Sequence, residues 1–133
     1  MVRLGTLLLG SQHVAEEVVQ DCFLRLQPRF ATLDDPAGYL HRSVVNGCRS
    51  VMRRQRRERD HLRATAAQPA ELDANEMLDA LARLPERQRA ALVLRYWADL
   101  PGNEIALILG CREGTVKSLI HRGLARLREA LDE

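Results

Sequence analysis

The chain is poor in aromatic side chains, with two Phe, two Tyr and one Trp, 4 % of 133 residues. Its core must therefore be built from Leu, Val, Ile and Ala. It lacks any apolar run of membrane-spanning length. It also lacks a cysteine framework. Cys22, Cys48 and Cys111 are odd in number, far apart in sequence, and form no CxxC or Cys/His cluster with zinc spacing. Free, mostly buried thiols are expected, with no metal or redox role. There is no strand-like alternation and no internal repeat. There is no nucleophile–base pair and no phosphate-binding loop, so neither an enzyme nor a cofactor is expected. The opening MVRLGTLLLG has one Arg followed by Leu-rich residues, as a signal peptide would. The stretch is too short and has no small-residue cleavage site, so it reads as the end of a helix in a cytoplasmic protein.

What is present is patterned charge. The net charge is only +2, but residues 49–59 carry six Arg and one Glu. Residues 112–128 carry four Arg and one Lys against one Glu, and residues 71–79 carry four acids and no base. Either basic patch alone could be solvated surface. Two of them, each on a helical pattern, point to a polyanionic partner.

Apolar periodicity predicts helices throughout, giving an all-α chain. A stub helix over 2–9 stops at Gly10, and Ser11 caps a second helix over 12–27 with Ala15, Val18, Val19, Cys22 and Leu26 inward. Pro28 and residues 31–34 break the pattern. Asp35-Pro36 then starts a helix with Leu40, Val44, Cys48, Val51 and Met52 inward. That helix runs out into the basic stretch. Residues 60–75 show no sustained periodicity and read as a linker. Met77, Leu78, Leu81 and Leu84 make a short helix stopped at Pro85, and helices follow over 88–97 and 103–109. The last helix has the stripe Val116, Ile120, Leu124, Leu127 and Leu131. The organisation expected is two small helical domains, 1–60 and 76–133, joined by a linker over 61–75.

The most specific local pattern lies in the second domain. Ala106 is small enough for a second helix to cross closely, Gly110 makes a tight turn, and Val116 plugs the crossing. Ile105 and Leu109 complete the back. This is the helix-turn-helix arrangement, whose second helix enters the DNA major groove. Thr115, Ser118, Arg122 and Ala125 oppose the apolar stripe, with Lys117 and His121 flanking it. Short polar side chains near a helix start can reach base edges, and Arg and Lys can reach bases or phosphates. The plainer alternative is an ordinary amphipathic helix on a small bundle.

Residues 84–131, LPERQRAALVLRYWADLPGNEIALILGCREGTVKSLIHRGLARLREAL, resemble region 4 of bacterial sigma factors of the extracytoplasmic-function (ECF) class. AEEVVQDCFLRL (15–26) resembles region 2.2, and DDPAGYLHRSVVNGCRSVMRRQRRER (34–59) resembles regions 2.3 and 2.4. The order also matches. The single Lys and the RYW motif resemble actinobacterial members. The resemblance implies a factor that binds core RNA polymerase, recognises −35 and −10 promoter elements and promotes initiation. An anti-sigma factor is a further candidate partner.

The resemblance also assigns residues. The polymerase-docking face would be Glu17, Gln20, Asp21 and Leu24. The −10 strand would meet residues 33–36, Tyr39, Asn46, Arg49, Arg53, Arg54, Arg56 and Arg57, where an aromatic can stack on a base and arginines can follow the backbone. Tyr39 could instead pack on the core, and Asn46 could bond only locally. The −35 element would be read by Arg112, Glu113, Thr115, Lys117, Ser118, His121 and Arg122. An extended linker of about 16 residues reaches roughly 50 Å at ~3.3 Å each. Promoter elements roughly 16–17 base pairs apart lie ~55 Å apart at ~3.4 Å per step. Linker and domain widths together can bridge them.

Two departures from the family pattern stand out. The chain begins inside the region 2 bundle, a helix short, so part of the stripe through Val18, Val19 and Cys22 is expected to be exposed. This keeps open a truncated sigma-like protein that binds polymerase or an anti-sigma partner without initiating. A plain helix-turn-helix regulator is the other alternative. The second departure is Leu119, where the family often has Arg. Leu119 reads as an addition to the core that removes a charge. Leu119→Arg is expected to tighten DNA binding at moderate salt, and to steepen the salt dependence by about one phosphate contact. A titration at several salt concentrations with an unchanged slope would refute it.

Overall fold

The computed structural model describes residues 1–61 and 76–132. Among these there are seven α-helices and no strand. α1 (Val2–Leu9) stops at Gly10, whose φ of 75° is the left-handed conformation expected of a helix-ending glycine. α2 (Gln12–Leu26) is capped by Ser11, whose Oγ accepts from the Val14 N–H at 3.3 Å. A 3-10 turn (Gln27–Thr32) follows, with Pro28 inside it. α3 (Pro36–His61) starts where Asp35 Oδ1 accepts from the Gly38 N–H at 3.1 Å. α1, α2 and α3 pack on one another. Ala15, Val19, Cys22 and Leu26 are buried, as are Leu40, Val44, Val45, Cys48 and Met52.

The second half holds α4 (Glu76–Ala82), α5 (Glu86–Tyr96), α6 (Gly102–Leu109) and α7 (Glu113–Asp132). α5 is its centre. Every residue from Gln88 to Leu94 is buried, because α6 and α7 cover it on one side and α1 and α3 on another. Its low amphipathicity in sequence follows from being enclosed all round. α7 crosses α5 closely at Gly123, where an added Cβ would lie 3.1 Å from Leu92.

The two halves share a core. One continuous cluster of buried apolar side chains runs from Leu4 to Leu127, and α1 and α3 pack against the helices of the second half. Two polar contacts pin this junction. Arg49 of α3 pairs with Glu86 at the start of α5, both side chains being only 12 % and 16 % exposed. Arg89 of α5, 7 % exposed, donates to the Leu8 carbonyl of α1 at 2.7 Å and contacts the Met52 sulfur at 3.1 Å. Its other nitrogen donates to the carbonyls of Leu84 at 3.1 Å and Ala82 at 3.3 Å.

Several expectations are corrected. Val19 and Cys22 are buried and Val18 is half-buried, so the α2 stripe is not left open: α1 and α3 cover it, and Val18 lies against Gly47. Leu131 is 40 % exposed and lies outside the core, while Gly123 takes a buried place on the rear of α7. α2 ends one residue earlier than expected, at Leu26. α5 begins at Glu86 because Pro85 is its N-cap, and Leu84 is buried beyond the end of α4. The expected linker starts within α3 at His61, and its remainder lies outside the described residues. Leu119 does pack against the core, half-buried. All three thiols are free. Burial, then the neighbouring Cys22, pushes the Cys48 thiol up to about 12, and burial raises Cys22 as well. Both stay protonated at neutral pH and are poor nucleophiles.

The shared core gives the first half a reason to be marginal alone. Losing roughly a few hundred Å² of apolar cover at ~25 cal/mol per Å² costs several kcal/mol, close to the whole stability of a small domain. A fragment of residues 1–61 is expected to unfold broadly on heating, followed by circular dichroism. A sharp transition with a high midpoint would refute this.

Candidate nucleic-acid interface

The helix-turn-helix is built as its spacing requires. Ile105, Ala106 and Leu109 of α6 are buried, as is Val116 of α7, and the two helices pack together. Gly110 turns the chain with φ 65° and ψ 42°, a region open to glycine without strain. Its N–H and that of Cys111 both donate to the Ala106 carbonyl, closing α6. The Arg112 carbonyl then accepts from the Val116 N–H at 3.1 Å and opens α7. With its back held, α7 turns its other face outward. Arg112, Glu113, Lys117, Ser118, His121 and Arg122 are exposed and Thr115 is half-buried. Thr115, Ser118 and Arg122 are three and four residues apart, so they share one face. All seven residues assigned to the −35 element lie at the start or on the first turns of α7.

The residues assigned to the −10 strand divide. Arg53, Arg54, Arg56 and Arg57 are exposed along the distal part of α3, and Arg53, Arg54 and Arg57 line an open groove of about 430 Å³ with Ser50. Tyr39 and Asn46 line a separate hollow of about 410 Å³ between α2 and α3. Tyr39 is half-buried, with the Arg29 guanidinium 5.8 Å from its ring centre and donating to its hydroxyl at 3.4 Å. Asn46 is exposed. Arg49 stands apart from both groups, because it is taken up by Glu86. Sequence reasoning missed Arg25 and Arg29 in the Tyr39 hollow. Helical spacing from Asp21 to Arg25 was available as a signal, but Arg29 lies on a 3-10 turn where no period applies.

Glu17, Gln20, Asp21 and Leu24 form one exposed face of α2. Glu17 pairs with His13 at 2.9 Å and Asp21 with Arg25 at 3.0 Å, each one helical turn apart. Such exposed pairs add little stability and leave the face available. Leu24 is 60 % exposed and stands beside Phe23 and Phe30, which are 50 % and 55 % exposed. Together they rim a hollow of about 310 Å³. Both Phe residues were missed, although two of the chain's five aromatics falling on one edge was a legible signal. Three large apolar side chains kept in water at one place mark an interaction surface.

A helix-turn-helix with a basic outer face, joined to a second basic helix and an apolar docking edge, defines a DNA-binding protein that works with a protein partner. Family models for Sigma-70 region 2 and Sigma-70 region 4 match residues 1–58 and 74–127. The RNA polymerase sigma-E factor of Streptomyces coelicolor is 34 % identical over 127 residues, covering 88 % of this chain and 71 % of its own. The ECF RNA polymerase sigma factor SigM of Mycobacterium tuberculosis is 34 % identical over 140 residues, covering 97 % and 70 %. The solved sigma factor RpoE of Bartonella quintana, in complex with the anti-sigma factor NepR, aligns with a TM-score of 0.78 at 27 % identity, covering 98 % of this chain and 89 % of that one. The chain belongs to the sigma-70 family, in its ECF class.

The exposed edge of α2 can be tested without disturbing the fold. Leu24→Ser is expected to weaken binding to core RNA polymerase about tenfold or more, since burying one such side chain contributes ~1.5–3 kcal/mol. The melting temperature should not move. Equal affinities of Leu24→Ser and wild type in a core-polymerase titration would exclude Leu24 from the interface.

Proposed function

We propose that the chain docks on core RNA polymerase through the α2 edge, reads the −35 element with α7, meets the −10 strand along α3, and so starts transcription. The observation that carries this is the presence of three outward faces of different chemistry on one chain whose two halves match sigma regions 2 and 4 in order. α7 offers short polar and basic side chains suited to base edges and phosphates. α3 offers an arginine row for a backbone, with Tyr39 and Asn46 beside it for unpaired bases. Opening the duplex requires no covalent step. It follows when the separated strand binds better than the duplex, so the factor acts by selecting the open form. The chain is thus a non-catalytic initiation factor, working in the cytoplasm and at the nucleoid when active. No helix among the described residues is long and apolar enough to cross a membrane.

An anti-sigma factor is the partner that would hold the chain inactive, a reading supported by the likeness to RpoE crystallised with NepR. The α2 edge disfavours a plain helix-turn-helix regulator, which needs no such surface.

Run-off transcription with purified actinobacterial core polymerase and a pooled genomic promoter library tests the proposal. Discrete transcripts sharing two upstream motifs are expected. Co-elution with core polymerase without transcripts would replace the initiation factor by a competitor for polymerase.

A further inference from the structure

The α2 docking edge uses Phe23, Leu24 and Phe30, but these are not the only large apolar side chains left in water. Met1, Tyr96 and Trp97 are 38 %, 56 % and 36 % exposed and meet at a second hollow, of about 380 Å³. Two of the chain's five aromatic side chains therefore stand at a place to which neither promoter reading nor polymerase docking gives a role.

Three elements wall this hollow. α1 supplies Arg3, Leu4 and Leu7, α3 supplies His41, and the end of α5 supplies Tyr96 and Trp97. Its volume falls among those of small-molecule sites, roughly 300–1,000 Å³. Its lining also has their composition, mostly apolar with a few polar groups.

The polar groups are unengaged. Arg3 is exposed, and its guanidinium has no hydrogen bond or ion pair among the described residues. His41 is half-buried, and its Nε2 is closed off from solvent without a hydrogen-bond partner. A buried polar atom left without a partner is rare in folded chains and marks a place that a group from outside can satisfy. Burial holds the imidazole pKa below its ordinary value, so the ring is neutral at neutral pH, and Nε2 donates when it carries the proton. No carboxylate lines the hollow, so the charge of Arg3 is unbalanced there and favours an anion.

We propose that this hollow binds a small planar aromatic carboxylate, its ring against Tyr96, Trp97 and the two leucines and its charge on Arg3, with His41 as a second donor. A body of two fused rings suits the volume, and tyrosine and tryptophan offer it ring surface to stack on. One anionic charge matches one guanidinium, whereas a polyphosphate would leave charge without a partner.

Trp97 is the chain's one tryptophan, so its indole N–H gives a single signal by NMR of an isotope-labelled sample. The probe is naphthalene-2-carboxylate, titrated into the full chain, with naphthalene-2-carboxamide as its uncharged counterpart. The carboxylate is expected to shift the Trp97 signal to saturation and to bind about fivefold tighter than the amide. Arg3→Ala should remove that preference and leave amide binding unchanged. Tyr96→Ala should weaken both probes about fivefold. Both side chains are exposed, so neither variant endangers the fold. Equal binding of the two probes by wild type, a preference that survives Arg3→Ala, or a Trp97 signal that never saturates overturns the proposal. Shifts confined to residues around Phe23, Leu24 and Phe30 also overturn it, by putting the probe on the docking edge. The titration contains neither polymerase nor DNA, so its outcome is independent of the sigma-factor reading.

Discussion

The arrangement of the chain depends on where one guanidinium is put. Arg89 is a charged group in a core made mostly of apolar side chains, with Gln88 buried beside it, and its burial is tolerable because backbone carbonyls receive it. Those carbonyls come from the last turn of α1, the end of α4 and the residue just before Pro85. A planar fork with several donors can reach all of them at once, which a lysine ammonium could not do in the same plane. With Arg89 in place, α5 is fixed against the first half, and α6 and α7 take their positions from α5.

From that centre the helices divide their work by face. α2 turns Val19 and Cys22 inward and Leu24 outward, and the 3-10 turn after it brings Phe30 beside Phe23. α3 starts as a core helix and ends as a basic one. α7 keeps Val116 and Leu127 behind and its polar residues in front. α2 borders two surfaces at once, with Leu24 on its exposed apolar edge and Asp21 and Arg25 lining the hollow beside Tyr39. Cys22 and Cys48 are buried, and burial holds both in the protonated form.

Much of this was legible in the residues. Helix caps at Ser11 and Asp35, the stop at Gly10, and the spacing of Ala106, Gly110 and Val116 are local signals, and local physics determines them. The outward positions of the α7 residues follow from the same periodicity. What periodicity cannot show is which helix lies against which. α5 is buried throughout from Gln88 to Leu94, so that stretch shows no apolar stripe to reveal its partners. The occupation of Arg49 by Glu86 joins residues far apart in the chain, and Arg49 looks in sequence like any other member of a basic run. Leu131 was read as core because a stripe extrapolates, whereas in the fold it is 40 % exposed beyond the buried Leu127. Gly123 escaped notice because the absence of a side chain carries no period.

The helix-turn-helix has a consequence for how such proteins diversify. The angle between α6 and α7 is held by Ala106, Gly110 and Val116, and the rear of α7 by Gly123 against Leu92. Lys117, Ser118, His121 and Arg122 project from the opposite side into solvent and support none of this packing. The residues proposed to read DNA and the residues that hold the fold are therefore separable along a single helix. Those outward residues can be exchanged one at a time while the packed rear of the helix stays as it is, so that descendants of one ancestral chain can acquire different outward surfaces without passing through an unfolded protein.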